Sequence, residues 1–257
     1  MTLLIPAAQR LAEDRSLSLT IGVHAGVTMY LKHRGGRSNS SRENTSRIPV
    51  RNPVTPSGMG FRAKFFSPKN KRLVRCESLL EFDCLHLFEF ARGVVSFVEQ
   101  PMTVHYRLGG VTRSYTPDFA VDWQDGRRYF VEVKPAERLA ELQNEEKFGR
   151  LAAVFAAHGD QLVLLSEIQI RNVTRLRQVK RLLRCRLDAQ LDMTPTHGTP
   201  ATMTPRTIGE ALSDGSTRPA ILGQLATREI SCCLEQEITD STLLLPFEGR
   251  HDDALFI

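Results

Sequence analysis

The spacing of apolar residues alternates between two periods along this chain, and each change of period marks an element. Residues 61–66 and 71–75 read as two strands around a Ser67-Pro68-Lys69-Asn70 turn, the pattern of a hairpin. Residues 78–92 are rich in Leu and Phe, start at a serine and meet Gly93, which predicts a buried helix with an N-cap and a glycine stop. β-Branched and aromatic runs at 94–98, 103–108, 114–123 and 128–134 read as strands, separated by Pro101, Gly109-Gly110 and Gln124-Asp125-Gly126. Helical spacing returns over 136–158, and 161–166 reads as one more strand. Helix, antiparallel strands, helix, strand is the order of an α/β fold, a mixed sheet flanked by helices.

The flanks differ in character. A basic Ser/Asn/Arg-rich run at 32–51 makes the first 60 residues read as a flexible arm. Residues 171–186 form a helix candidate with seven basic side chains, no acidic one, and apolar residues at helical spacing. Such a helix serves equally well along phosphates or as a solvated face over apolar packing. A Thr/Pro-rich linker spans 192–206, and 208–245 offers two short helices and a strand, loosely like a helix-turn-helix. The expected division is therefore an arm at 1–60, a core domain at 61–170, and a region at 171–257 comprising basic helix, linker and small second domain.

Composition narrows the class. With 41% hydrophobic and 25% charged residues among 257, the chain is of the globular type, and a net charge of +5 is too small to identify nucleic acid by itself. Five cysteines, an odd number without a C-x-x-C pair, suggest neither a disulfide framework nor a zinc knuckle, and fit a reducing cytoplasm. Cys232 and Cys233 read as small buried residues, and His86 as a core histidine. No membrane span, Walker motif or G-x-G-x-x-G is present, so neither membrane insertion nor a nucleotide cofactor is expected.

The chemistry concentrates in Tyr115-Thr116-Pro117-Asp118-Phe119 and, fourteen residues after Asp118, Glu132-Val133-Lys134. If Gln124-Asp125-Gly126 is a three-residue loop with Gly126 left-handed, Trp123 pairs with Arg127 and Asp118 stands opposite Glu132. Asp122 then faces Arg128, while Phe119 meets Val131 and Val121 meets Tyr129 on the other side. Lys134 shares the face of Glu132, so this register predicts one charged and one apolar face. Two adjacent carboxylates in a partly dry site call for a cation, and Mg²⁺ suits hard oxygen ligands. Such a metal would polarise a phosphodiester and help generate hydroxide, with Lys134 orienting the water or offsetting transition-state charge. A third carboxylate comes from the preceding helix. Glu81 heads a stripe with Cys84, Leu85 and Phe88, whereas Glu77 is the alternative and Asp83 lies off the stripe. Ser78-x-x-Glu81 is also a capping box, in which Glu81 would bond the Ser78 amide. Asp118 has an ordinary explanation as a turn residue and Glu132 to Lys134 as a solvated strand face, but the combination and order favour a nuclease. Gln100 is equally a turn residue or a neighbour of the site.

The run Glu77 to Asp83, then Glu99-Gln100-Pro101, Tyr115-Thr116-Pro117-Asp118-Phe119 and Glu132-Val133-Lys134-Pro135 resembles the TnsA endonuclease of heteromeric bacterial transposases, a PD-(D/E)xK nuclease family. The resemblance covers residues 61–170. It implies a restriction-endonuclease-like fold, dependence on Mg²⁺ with Mn²⁺ able to substitute, and metal ligands at Glu81, Asp118 and Glu132 with catalytic Lys134. It also implies double-stranded transposon-end DNA as substrate, cut on the 5′, non-transferred strand that a TnsB-like transposase leaves intact. A TnsC-like ATPase would be contacted through a C-terminal winged-helix-like domain. The long basic arm and the Thr/Pro-rich linker depart from the family pattern. Two further readings stand beside it: a stand-alone nuclease of the same fold in restriction, repair or junction resolution, and a non-catalytic DNA-binding adaptor.

Overall fold

The computed structural model describes residues 30–31, 61–108, 111–191 and 204–247, so most of the expected arm and most of the linker lie outside the described residues. Within the arm, strand β1 (Tyr30–Leu31) pairs antiparallel with His105 and Val104. Strands β2 (Ala63–Ser67) and β3 (Arg72–Cys76) form the expected hairpin and bury Phe65 opposite Val74.

Helix α1 (Leu79–Phe90) starts at Ser78, whose hydroxyl accepts the Glu81 N–H at 3.0 Å. It ends before the expected stop. Gly93 is not left-handed; instead the Lys69 ammonium, from the β2–β3 turn, donates to the carbonyls of Phe88 at 3.0 Å, Val94 at 2.8 Å, and Ala91. A lysine thus satisfies the helix C-terminus that a glycine cap would otherwise close.

Strands β4 (Val94–Glu99), β5 (Val104–Leu108), β6 (Val111–Tyr115), β7 (Phe119–Trp123) and β8 (Arg128–Val133) follow. The run at 114–123, expected as one strand, is two. Pro117 supplies no N–H and interrupts the ladder, so β6 joins β5 and β1 in a small sheet while β7 enters the central one. The β7–β8 register is the expected one: Phe119 opposite Val131, Val121 opposite Tyr129, Asp122 opposite Arg128. Its loop also closes as anticipated, with Gly126 at φ +85° and the Trp123 N–H on the Arg127 carbonyl at 2.8 Å.

Helical residues expected as one element form α2 (Ala136–Leu139) and α3 (Leu142–Ala157), because Glu141 is extended and the Asn144 side chain takes the Arg138 carbonyl at 2.7 Å. Strand β9 (Gln161–Leu165) lies parallel to β8, completing a four-stranded sheet in the order β4-β7-β8-β9. A short α4 (Glu167–Ile170), not anticipated, precedes α5 (Val173–Leu191), which runs beyond the expected 186.

The sheet is covered on both faces. Phe97, Phe119, Val121 and Val131 pack with Leu85 and Phe88 of α1, while Val98, Ala120 and Phe130 pack with Phe148, Leu151 and Phe155 of α3. This corrects the picture of one charged face. Asp118, Ala120 and Asp122 share a face by strand alternation, but Ala120 and Phe130 between the charges are buried under α3. Charge survives only at the two ends, at the Asp122–Arg128 pair (2.5 Å) and at Asp118–Glu132–Lys134.

The C-terminal residues form β10 (Arg206–Thr207), α6 (Ile208–Ser213), α7 (Arg218–Thr227), β11 (Ile230–Ser231) and β12 (Leu243–Pro246), with strand order β10-β12-β11. There are three short strands where one was expected. Their core is continuous with that of the sheet: Ile208, Ile221, Leu225 and Leu244 join Leu176, Val179 and Leu182 of α5 and the apolar face of α1 in one cluster.

Candidate active site

The end of the central sheet where β7 begins and β8 finishes gathers the ionisable residues. β4 sets the position of Asp118: Glu99 pairs with Phe119, then the chain bends at Gln100, whose φ of 43° is left-handed and unusual before a proline. The Gln100 N–H donates to the Asp118 carbonyl at 2.8 Å, so Gln100, buried at 7% exposure, is a backbone neighbour of the site. Asp118 Oδ2 accepts the Val133 N–H at 2.7 Å, which locks the aspartate across the end of β8. Continuing the β7–β8 register by one pair sets Asp118 opposite Glu132, as the loop geometry requires.

Glu132 is buried at 6% exposure and both carboxylate oxygens are engaged. Oε2 accepts the Tyr115 hydroxyl at 3.0 Å, and Oε1 lies 3.3 Å from the Lys134 ammonium. Tyr115 is itself buried, edge-on to Phe148 and Phe155 of α3 at 6.2 and 6.5 Å. Burial, then the charges of Glu132 and Asp118, push its phenol well above the usual range, so it remains a donor. Tyr115 lies within the motif, but the sequence alone assigns it no role. Its partner lies seventeen residues away, and no local period reveals that contact.

Glu81 sits at the head of the anticipated stripe, with Cys84, Leu85 and Phe88 fully buried below it. Its carboxylate closes a variant of the capping box: Oε2 accepts the Glu77 N–H at 2.9 Å, one residue before the Ser78 amide that the motif calls for. The structure brings this carboxylate into the field of the other two. Burial raises the Glu81 pKa, with the Glu77 and Ser78 hydrogen bonds opposing and Glu77 and Glu132 adding to it. Burial likewise holds Asp118 well above the usual carboxyl range, reinforced by Glu132 and Glu81 against the Val133 N–H and Lys134. Glu77 is exposed.

A cleft of about 370 Å³ opens beside these groups, lined by Ser78, Glu81, Lys134, Pro135, Arg138, Glu141 and Asn144 among others. The donor set fits a hard divalent cation, since it offers carboxylate oxygens whose mutual repulsion adds to burial in raising Asp118 and Glu81. Among the described residues no three potential ligands stand in a metal-binding group, and Glu81 is turned to the Glu77 amide.

Other sequence signals resolve away from the site. His86 lies edge-on to Phe65 and Phe82 at 5.0 and 5.1 Å, and burial lowers its pKa. All five cysteines are free; Cys232 is half-buried and Cys233 exposed, so the adjacent pair is not a buried one, because the short strand β11 ends just before it. No helix among the described residues is long and apolar enough to cross a membrane.

No curated protein matches the chain. Residues 91–167 match the family described as TnsA-like endonuclease N terminal, a span that contains Asp118, Glu132 and Lys134 and begins just after α1, which carries Glu81. That segment holds the four-stranded mixed sheet flanked by helices, as restriction-endonuclease-like folds have, and its similarity is to TnsA-like nucleases.

Proposed function

We propose that this protein is the endonuclease subunit of a heteromeric transposase, a Mg²⁺-dependent enzyme that cuts the 5′, non-transferred strand at transposon ends. The convergence of Asp118, Glu132 and Lys134 at one sheet end, inside a TnsA-like segment, carries this reading. Glu81, Asp118 and Glu132 would hold the metal, with Mn²⁺ able to substitute, and Glu81 would exchange its Glu77 hydrogen bond for it. A divalent cation held there would supply Lewis acidity to the phosphodiester and lower the pKa of water for attack near neutral pH. The protein's own groups do the positioning. Tyr115 and Lys134 fix Glu132, the Val133 N–H fixes Asp118, and Lys134 orients the attacking water and offsets charge on the pentacovalent phosphorus.

A TnsB-like transposase, a TnsC-like ATPase and double-stranded transposon-end DNA are the partners this reading calls for, in the cytoplasm. Helices α6 and α7 with the β10-β12-β11 sheet suit a winged-helix-like docking unit.

A strand-cleavage assay on end-labelled transposon-end DNA, with Mg²⁺ and both partners, tests it. Asp118→Ala and Lys134→Ala are each expected to reduce 5′-strand cutting at least about 100-fold. Undiminished cleavage by both variants would remove the site assignment.

A further inference from the structure

A second lysine faces the same carboxylates from α3. The Lys147 ammonium lies 5.0 Å from the centroid of the Tyr115 ring and 4.6 Å from that of Phe148, and Lys134 lies 6.0 Å from the same Phe148 ring. Tyr115 is the residue whose hydroxyl holds Glu132. Lys147 is half-buried, whereas Glu145, Glu146 and Arg150 of the same helix are exposed.

Among the described residues Lys147 makes no hydrogen bond and no ion pair; the Glu132 carboxylate is already taken by Tyr115 and Lys134. A lysine that merely covers apolar surface extends its ammonium into water. Lys147 does otherwise. Burial depresses its pKa, and the charges acting on it are those of Glu132, Lys134 and Asp118, the site itself. Aromatic faces hold the cation there without neutralising it, leaving its three donors for an anion brought by the substrate.

We propose that Lys147 is a substrate-binding cation of the cleavage site, its ammonium taking a non-bridging oxygen of the DNA phosphate at the cutting position. The inference rests on the nuclease reading above. It assigns the two lysines different duties: Lys134 is paired with Glu132, and Lys147 carries the charge that meets the phosphate.

The test compares the full-length wild-type protein with Lys147→Met, which keeps an apolar stem over the two rings, and with Lys147→Arg. Binding is measured by fluorescence anisotropy without divalent cation, beside the partner transposase. Two transposon-end duplexes are used, one native and one carrying a neutral methylphosphonate at the cutting position. Lys147→Met is expected to bind native DNA about tenfold more weakly, as the loss of a charge-assisted hydrogen bond implies, and to lower the salt slope by about one. On the methylphosphonate duplex it should match wild type, and Lys147→Arg should restore native binding. Equal losses on both duplexes, with a fall in Tm, would make Lys147 a structural support of Tyr115 and overturn the proposal. Unchanged binding of native DNA by Lys147→Met, with wild type binding normally, overturns it alone. A wild-type protein that neither binds nor cuts overturns the nuclease reading and this one with it.

Discussion

Asp118 is held by opposed forces. The Val133 N–H and Lys134 favour its anion, while burial, Glu132 and Glu81 favour the protonated acid and prevail. A carboxyl whose folded pKa lies above its ordinary 3.8 contributes most to stability below that value, and loses the contribution as pH rises through the raised pKa. At neutral pH without metal, Asp118 is therefore a destabilising group. Asp118→Asn keeps an oxygen for the Val133 N–H and removes the charge. It should raise stability by about 1 kcal/mol or more, a Tm gain of ~2–4 °C, that vanishes on acidification to about pH 4. Thermal melts at the two pH values check this, and a destabilised Asn variant at neutral pH would refute it. The legibility of this site follows the reach of the local period. Asp118, Glu132 and Lys134 were legible because a strand repeats every two residues and Gly126 fixed the register. Tyr115 and Lys147 were not, because β6 carries Tyr115 to Glu132 and α3 lays Lys147 over the Tyr115 ring, tertiary contacts that no spacing encodes.

At the scale of elements, α5 shows how composition alone can mislead. Its basic residues suited phosphates or a solvated face over apolar packing equally, and most of them form ion pairs at the surface while Leu176, Val179 and Leu182 pack beneath. Lys180 and Arg171 both reach Asp83 of α1, at 2.6 and 2.7 Å, while Arg177 pairs with Glu237 and Arg186 with Glu89. These acidic partners lie tens of residues away, so the pairing was invisible in the sequence of the helix itself. Burial pushes the Asp83 carboxyl up, but its hydrogen bonds to Lys180 and Arg171 outweigh that and hold it below its ordinary value. A depressed folded pKa contributes stability above the unfolded value and loses it as pH falls through the folded one, so this clamp weakens in acid. Asp83→Ala leaves two cations facing each other, at a cost of about 1–3 kcal/mol. The loss should appear as a lower urea midpoint and faster amide hydrogen exchange over residues 173–186. Unchanged exchange in α5 would show that apolar packing alone seats the helix. The same limit explains the two misread boundaries. Pro117 splits one apparent strand, and extended Glu141 with the Asn144 cap splits one apparent helix, although apolar spacing runs on through both.

Over the whole molecule, one apolar cluster runs on across residue 170, where the sequence suggested that the core domain ends. α5 packs against both α1 and α7, and Leu176, Val179 and Leu182 join Leu85 and Phe88 to Ile221 and Leu225 in one apolar cluster. Thr and Pro in the linker report the local chain, whereas the shared core depends on where the chain returns afterwards. The central sheet is thus buttressed on its α1 face by elements that follow it. A fragment of residues 61–170 would expose that face, including the apolar groove into which Val179 and Leu182, both fully buried, now fit. Uncovering several large side chains at about 1.5–3 kcal/mol each removes much of the roughly 5–15 kcal/mol that stabilises a typical domain. The fragment should therefore melt well below the full-length protein or aggregate, and Leu182→Ala in the full chain should cost about 2–5 kcal/mol. Calorimetry of the three proteins decides the matter. A fragment that melts with full-length Tm would establish 61–170 as self-sufficient, and would reduce α5 to a tether for the C-terminal unit rather than a wall of the core.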